Sequence, residues 1–428
     1  MMRNGNHGVP GKPLMNRQVI VLVVLGWCAA CAQAQTPADL NAEGVAQYNA
    51  GHWNEAIQAF ERAYEAVPDN AIVRRNLCNA HQSVANAMAR EADFAAASKH
   101  LEIAIGVDPE NYSPLIQLGS YYLRLDLVPE AIARLEEAID LAPHNVDAHD
   151  LLGDAYYADN DIPSAMTQWK WVAEAQPNRP GLQQKIEKAS REDAVEASFR
   201  PSASRHFQFS YSPDIPGRAL RRLLNFLERA YLEIGRNFGS VYPPTPIQVI
   251  VYNAKEFTEA TQAGEHIGAL YDGKIRIPLY EAQGSLLDDS ELKQRLYHEY
   301  THVVVRFLAG NHVPWWLNEG LAEEFSRAFG SLQLDLLGKA KADDALFALA
   351  SIEDGQMNKL GPDPLRLAYA QSHATAHYLW TKFGQRRVVD LMSALTQGVP
   401  PEEALRQSFN RTYATLQKEV ARTIDATP

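Results

Sequence analysis

The sequence has few cysteines, no excess of basic charge and no apolar run long enough to cross a membrane comfortably. Two of its three cysteines, Cys28 and Cys31, lie close to the N-terminus. If the N-terminal segment that contains both is removed, the remaining chain keeps only Cys78. No internal disulfide is then expected. The net charge of −12 and the lack of a basic stripe interleaved with aromatics argue against nucleic acid as a partner.

The first 34 residues have the pattern of a signal peptide. Arg17 supplies positive charge, the apolar run from Val19 to Leu25 follows, and Ala32-Gln33-Ala34 offers small residues for cleavage. The apolar run falls short of the roughly 20 residues that span a bilayer. We predict cleavage after Ala34, a periplasmic or secreted protein, and no stable membrane span in the mature chain. A retained anchor or a lipidated cysteine is the alternative.

Residues 37–199 carry an internal repeat, and the chain is long enough for at least two domains. Four kinds of residue recur after 34 positions, namely Gly119 and Gly153, Tyr122 and Tyr156, Ala131 and Ala165, Pro143 and Pro177. An earlier unit is stretched around residues 79–93, which predicts a longer helix or turn. Small residues at fixed spacing let paired helices approach, and proline ends the second helix.

This period and pattern resemble the tetratricopeptide repeat. The resemblance implies an all-α solenoid of about four helix pairs, with residues 181–199 as a capping helix. Stacked repeats form extended concave surfaces, so the domain is expected to bind a protein partner or a substrate.

A different pattern begins at His206. Residues 206–211 and 247–252 read as strands, and residues 218–238 have helical periodicity. Residues 268–279, interrupted by Asp272-Gly273, suit a hairpin or an edge strand. The rest of the chain after Gly284 reads as helical, which predicts an α+β domain with strands first and helices afterwards.

One short segment of this domain has the spacing of a metal site. His298-Glu299-Tyr300-Thr301-His302 is an HExxH motif in a helix predicted from Asp289 to Leu308. A spacing of four residues puts both imidazoles on one helix face, where they can bind one metal ion. Glu299 lies elsewhere around the helix and can take a proton from water as a general base. A chance match in an amphipathic helix is the alternative.

A second helix supplies a candidate third ligand. It is predicted to begin after Pro314 and carries Glu319, 17 positions beyond His302. A turn at the proline would bring this carboxylate to the metal and leave a fourth position for water. His312 is nearer in sequence, but it falls in the predicted turn and is expected to be exposed.

The HEYTH segment followed by PWWLNEGLAEEF resembles gluzincins of the peptidase MA-like group. The resemblance covers roughly residues 205–425 and implies a thermolysin-like zincin domain with Zn²⁺ on His298, His302 and Glu319 and with Glu299 as the base. It also implies that Glu323 orients a metal-bound histidine. A tyrosine near the metal in related enzymes points to Tyr369, with His373, His377 and Tyr378 as rivals.

The same resemblance assigns the 268–271 segment to an edge strand that pairs with an extended peptide substrate. An ordinary hairpin covering the core is the alternative.

Three functions are consistent with this sequence. The leading one is an exported zinc peptidase that uses its repeats to recruit a peptide or protein substrate or a partner. The second is a catalytically inactive or weakly active envelope scaffold that binds through the repeats. The presence of Glu299 beside both histidines argues against the scaffold, because a scaffold needs no general base. The third is a zinc hydrolase that acts on a non-peptide amide.

Overall fold

The chain folds into a helical repeat domain followed by a mixed domain. The computed structural model describes residues 35–263, 268–281, 284–310, 312–326, 331–354, 357 and 360–425. The predicted signal peptide lies outside these residues, so its cleavage stays a prediction. No helix in the described ranges is both long and apolar enough to span a membrane.

The repeat domain consists of four antiparallel helix pairs and a ninth helix. The helices are α1 (Pro37–Asn49), α2 (Trp53–Ala66), α3 (Ala71–Arg90), α4 (Phe94–Val107), α5 (Tyr112–Arg124), α6 (Val128–Leu141), α7 (Val146–Ala158), α8 (Ile162–Ala175) and α9 (Leu182–Glu196). The predicted stretch of the second unit is explained by α3, which has 20 residues where α5 and α7 have 13.

Each helix pair turns through one residue in the left-handed region. These residues are Gly51, Ala92, Asp126 and Asn160, with φ between 55° and 80°. The last three are 34 residues apart, so the turns follow the sequence period. The helices of a pair pack closely, because a Cβ on Gly119 would lie 2.5 Å from the Leu135 side chain. The predicted solenoid is therefore confirmed, including the use of small residues at the helix contacts.

The first half of the mixed domain contains all five strands of the described sheet. These elements are β1 (Arg200–Ala203), β2 (Phe207–Tyr211), α10 (Gly217–Asn237), β3 (Ile247–Tyr252), α11 (Ala254–Thr261), β4 (Leu270–Tyr271) and β5 (Ile275–Pro278). The sheet order is β1-β2-β3-β5-β4, with β2, β3 and β5 parallel and both outer strands antiparallel to their neighbours. The short strand β4 is thus at the edge. Strand β1 precedes residue 205, the predicted start of this domain.

The second half of the domain is helical. Its elements are α12 (Asp289–Ala309), α13 (Trp315–Ser326), α14 (Ser331–Ala342), a 3-10 helix (Leu349–Ile352), α15 (Pro362–Phe383), α16 (Gln385–Thr396), α17 (Pro401–Phe409) and α18 (Tyr413–Asp425). One hydrophobic core joins the inner sheet strands to these helices. The predicted fold class, an all-α repeat solenoid followed by an α+β domain, is confirmed.

Candidate metal centre

Helix α12 carries the two histidines of the HExxH motif. Asp288 caps its N-terminus, where the Asp288 side chain accepts a hydrogen bond from the Glu291 backbone N–H, and Gly310 caps its C-terminus. The His298 and His302 rings lie one turn apart with centroids separated by 4.8 Å. Both side chains are largely buried, so the helix presents two ring nitrogens to one enclosed place.

Helix α13 brings Glu319 to the same place. The Oε2 atom of Glu319 lies 3.4 Å from His298 Nε2 and 3.5 Å from His302 Nε2. One candidate ligand atom from each of the three residues lies within 4.8 Å of the others, an arrangement that can hold a metal ion. The structure thus assembles the three predicted ligands. Their role as ligands remains a prediction.

Tight packing sets the position of α13. Trp315 and Trp316 are buried at its start. Gly320, next to the candidate ligand, faces α15 so closely that a Cβ would lie 2.3 Å from the Ser372 carbonyl oxygen. A larger residue would push α13 away from α15 and move Glu319 with it.

The electrostatics of the three residues favour a positive charge between them. Burial alone would raise the pKa of Glu319, but His302 and His298 outweigh burial and hold that pKa at about 2. Burial would lower the pKa of His298, yet Glu319 and Glu323 raise it to about 10. The buried Oε2 of Glu319 accepts no hydrogen bond of ordinary geometry. A cation among these donors would satisfy this oxygen.

Two further side chains contact the outer nitrogens of the histidines. Glu323 Oε1 lies 3.4 Å from His298 Nδ1, which is the contact that the sequence assigned to it. Asn318 Oδ1 lies 3.0 Å from His302 Nδ1. Such partners fix the ring orientation and leave Nε2 for a metal. The sequence analysis missed Asn318, and the only signal available was its place immediately before Glu319.

Glu299 is buried and lines the same cavity. It takes no part in the two contacts with the histidine Nδ1 atoms. Burial raises the pKa of its carboxyl group, and the nearby imidazoles of His298 and His302 oppose that shift. A carboxylate with a raised pKa beside a candidate metal site suits a general base. This role, too, remains a prediction.

Tyr369, on α15, also lines the cavity. Its ring meets Trp315 edge to face at 5.1 Å between centroids. Burial raises the pKa of the phenol, and the carboxylates of Glu319 and Glu299 add to the shift. Tyr369 thus lines the same cavity as the candidate metal ligands, and its role stays a prediction.

The rivals of Tyr369 have other contacts. His373 and His377 lie 3.1 and 3.0 Å from the Glu324 carboxylate, and Tyr378 donates a hydrogen bond to Glu419. None of these three lines the cavity. His312, the alternative third ligand, is exposed as predicted.

The candidate site opens into a cavity of about 920 Å³. Residues 268–273, which include β4, line this cavity together with the histidines. Strand β4 pairs with β5 on one side, and no other described strand pairs with its outer edge. The cavity thus combines a candidate metal centre, a candidate base and the edge strand β4, and next to that strand the Gly268 carbonyl accepts a hydrogen bond from Arg295.

Comparisons with known proteins agree with this two-part organisation. The Peptidase MA superfamily model matches residues 287–426, and tetratricopeptide-repeat models match residues 37–70 and 116–180. No curated protein matches the chain significantly.

The solved structures that are similar to this chain include the following three. A crystal structure of MamA protein is 21% identical, with a TM-score of 0.30, over 36% of this chain and 81% of that one. MamA 41-end from Desulfovibrio magneticus RS-1 is 19% identical, with a TM-score of 0.26, over 35% and 80% of the two chains. The first TPR of Spaghetti (RPAP3), bound to HSP90 peptide SRMEEVD, is 18% identical, with a TM-score of 0.21, over 37% and 94%.

Each kind of family match describes one part of the chain. The repeats support interaction with proteins, and the C-terminal part is peptidase-like, with a His/His/Glu group that can hold a metal. The chain therefore joins N-terminal tetratricopeptide repeats to a domain of the Peptidase MA superfamily.

Proposed function

We propose that this protein is an exported zinc metallopeptidase of the gluzincin type, which hydrolyses peptide bonds and uses its repeats to recruit a substrate or a partner. The observation that carries the proposal is the meeting of His298, His302 and Glu319 in one cavity beside Glu299. Export to the periplasm or the medium rests on the signal-like sequence of residues 1–34.

The donor set fits zinc. Two imidazole nitrogens and one carboxylate oxygen are typical of catalytic zinc sites, which leave the fourth position for water. Ligand bonds of about 2.1 Å in a tetrahedron place the ligand atoms about 3.4 Å apart. The separations of 3.4 and 3.5 Å between Glu319 Oε2 and the two Nε2 atoms agree with that value, and the ligand atoms of all three residues lie within 4.8 Å of one another.

The bound zinc would supply Lewis-acid chemistry, polarising water and the scissile carbonyl. Glu299 accepts the proton of the attacking water and passes it to the leaving amine. The Tyr369 hydroxyl donates a hydrogen bond to the oxyanion that develops on the attacked carbonyl. Glu323 and Asn318 hold the two histidine rings in place through their Nδ1 atoms.

The outer edge of β4, on which no described strand pairs, supports a peptide as the substrate. An extended peptide can pair with the backbone of residues 268–271, where the Gly268 carbonyl also accepts a hydrogen bond from Arg295, and such pairing is largely independent of side-chain sequence. The repeat domain would then add selectivity by binding a further part of the substrate or a separate protein.

The proposal is tested by Glu299→Gln in the zinc-loaded full chain, with fluorescein-labelled casein as substrate. The variant is expected to keep about one zinc per chain and to lose hydrolysis, because the amide cannot accept a proton. Glu291→Gln is the matched control, since it removes the same charge from the same helix and cavity. It should keep most of the activity.

Two outcomes would overturn the proposal. Undiminished hydrolysis by the Glu299 variant would remove the base from the mechanism. A zinc-loaded wild-type chain that cleaves neither casein nor a peptide library would favour the scaffold alternative. Peptides with free and blocked N-termini then separate an exopeptidase from an endopeptidase.

A further inference from the structure

A cluster of buried charges joins the repeat domain to the β4–β5 hairpin. Arg276 on β5 is fully buried and donates to Glu192 and Glu196 of α9, each at 2.9 Å. It also donates to the hydroxyl groups of Tyr252 and Tyr157. A buried guanidinium is costly unless its partners stay in place, so these contacts fix β5 against the repeats.

The turn of the hairpin is fixed in the same way. Lys274 is buried, donates to the Asn160 side chain at 2.8 Å and lies 4.0 Å from the centroid of the Tyr157 ring. Lys188 on α9 pairs with Asp272 at 2.5 Å. Residues 272, 274 and 276 therefore all contact helices or turns of the repeat domain.

The same hairpin forms a wall of the candidate active site. Leu270 on the edge strand is the register partner of Arg276, and Asp272 lines the cavity that holds the candidate metal ligands. A hairpin with a two-residue edge strand has little stability of its own. Strand β5 is also held by its pairing with β3, and the Gly268 carbonyl accepts a hydrogen bond from Arg295 of α12. The position of the turn at residues 272–274, and of the edge strand that leads into it, therefore depends on the side chains that anchor the turn.

We propose that the repeat domain positions the peptide-pairing edge of the active site through the Arg276 cluster, so that the repeats set the affinity for substrate at the site itself. This inference rests on the proposed peptidase function. Tyr157, Lys188 and Arg276 are thus positioning residues, which act through residues 270–272 and do not touch the reacting atoms.

The test uses two double variants of the zinc-loaded full chain. Lys188→Gln with Tyr157→Phe removes two contacts of the repeats with the hairpin and its Arg276 anchor. Lys185→Gln with Tyr156→Phe is the matched control. Lys185 pairs with Asp150 and Asp154, and Tyr156 donates to Glu136, all within the repeats.

The first double variant should raise KM for labelled casein about tenfold, with kcat changed by less than about twofold, because two modest interactions are lost. Its zinc content should equal that of the wild type. Amides of residues 270–278 should exchange hydrogen faster, while the control double variant changes neither KM nor this exchange. The conservative Lys188→Arg, made with Tyr157 intact, should behave like the wild type.

Unchanged exchange in the hairpin would overturn the proposal whether or not the protein hydrolyses casein, because this readout needs no turnover. Faster exchange with an unchanged KM would also overturn it, since the hairpin would then have no role in binding. Failure of the wild type to hydrolyse any peptide would instead count against the proposed function alone.

Discussion

Asn318 offers a sharp test of how the metal centre is built. Its Oδ1 lies 3.0 Å from His302 Nδ1, and the His302 side chain is only 9% exposed. Asn318→Ala leaves the Nδ1–H donor without this acceptor in a place that water reaches poorly. Alanine is a good helix former, so the substitution should leave α13 intact.

The expected loss is a 10- to 100-fold weaker zinc affinity, the usual effect of removing an outer partner of a histidine ligand, or about 1.4 to 2.7 kcal/mol. An unsatisfied buried donor costs about 1 to 3 kcal/mol, so the two arguments agree. Competition with a chromophoric chelator at constant pH measures the affinity. Asn318→Asp is the control, because it keeps an acceptor at this position and should bind zinc at least as tightly as the wild type.

An Asn318→Ala affinity within about twofold of the wild type would refute this reasoning. It would mean that His302 is oriented by packing alone, and that the contact with Asn318 is incidental to metal binding.

Two further predictions concern stability. Gly320→Ala should destabilise the chain by about 1 to 3 kcal/mol in denaturant unfolding, because the added Cβ meets the Ser372 carbonyl. Gly338→Ala, a helical glycine with open space, should be neutral or stabilising, and equal effects would contradict the account. Burial, with a smaller effect of His100, lowers the pKa of His81 to about 4, so the unfolded chain binds more protons below about pH 6.5 and stability falls as the pH falls. His81→Leu should remove about 2 kcal/mol of the stability difference between pH 7.5 and pH 5, and an unchanged difference would contradict it.

Some helices and strands of this protein can be predicted from the sequence because their apolar residues follow a clear pattern. The motif helix was expected from residue 289 to 308 and runs to Ala309, and the strand at 247–252 has the expected bounds. In both cases one segment supplies enough apolar residues at one spacing to fix its own conformation. The 34-residue period fixed the repeats in the same way.

Strand β1 could not be read from the sequence. Three of its four residues are exposed, and it contains Pro201, so neither alternation nor apolar content marks it. It exists because β2 offers an antiparallel partner. Tertiary pairing, not local propensity, decides such an edge strand.

The side-chain contacts around the site could not be predicted from the sequence, for a related reason. Arg276 meets Tyr157 across 119 positions and Glu196 across 80, and no sequence period links residues so far apart. Asn318 lies on a helix that was predicted, yet which side of it faces His302 depends on how α13 packs on α12 and α15. Spacing marked the candidate ligands, whereas packing decided which side chains contact them.

The central claim is that one zinc ion binds to His298, His302 and Glu319. Anomalous diffraction at the zinc absorption edge, on crystals of the zinc-loaded full chain, tests it most directly. We expect a single strong peak about 2.0 to 2.2 Å from the Nε2 atoms of both histidines and from the Glu319 carboxylate. A peak at other residues, or none at this group, would contradict the claim.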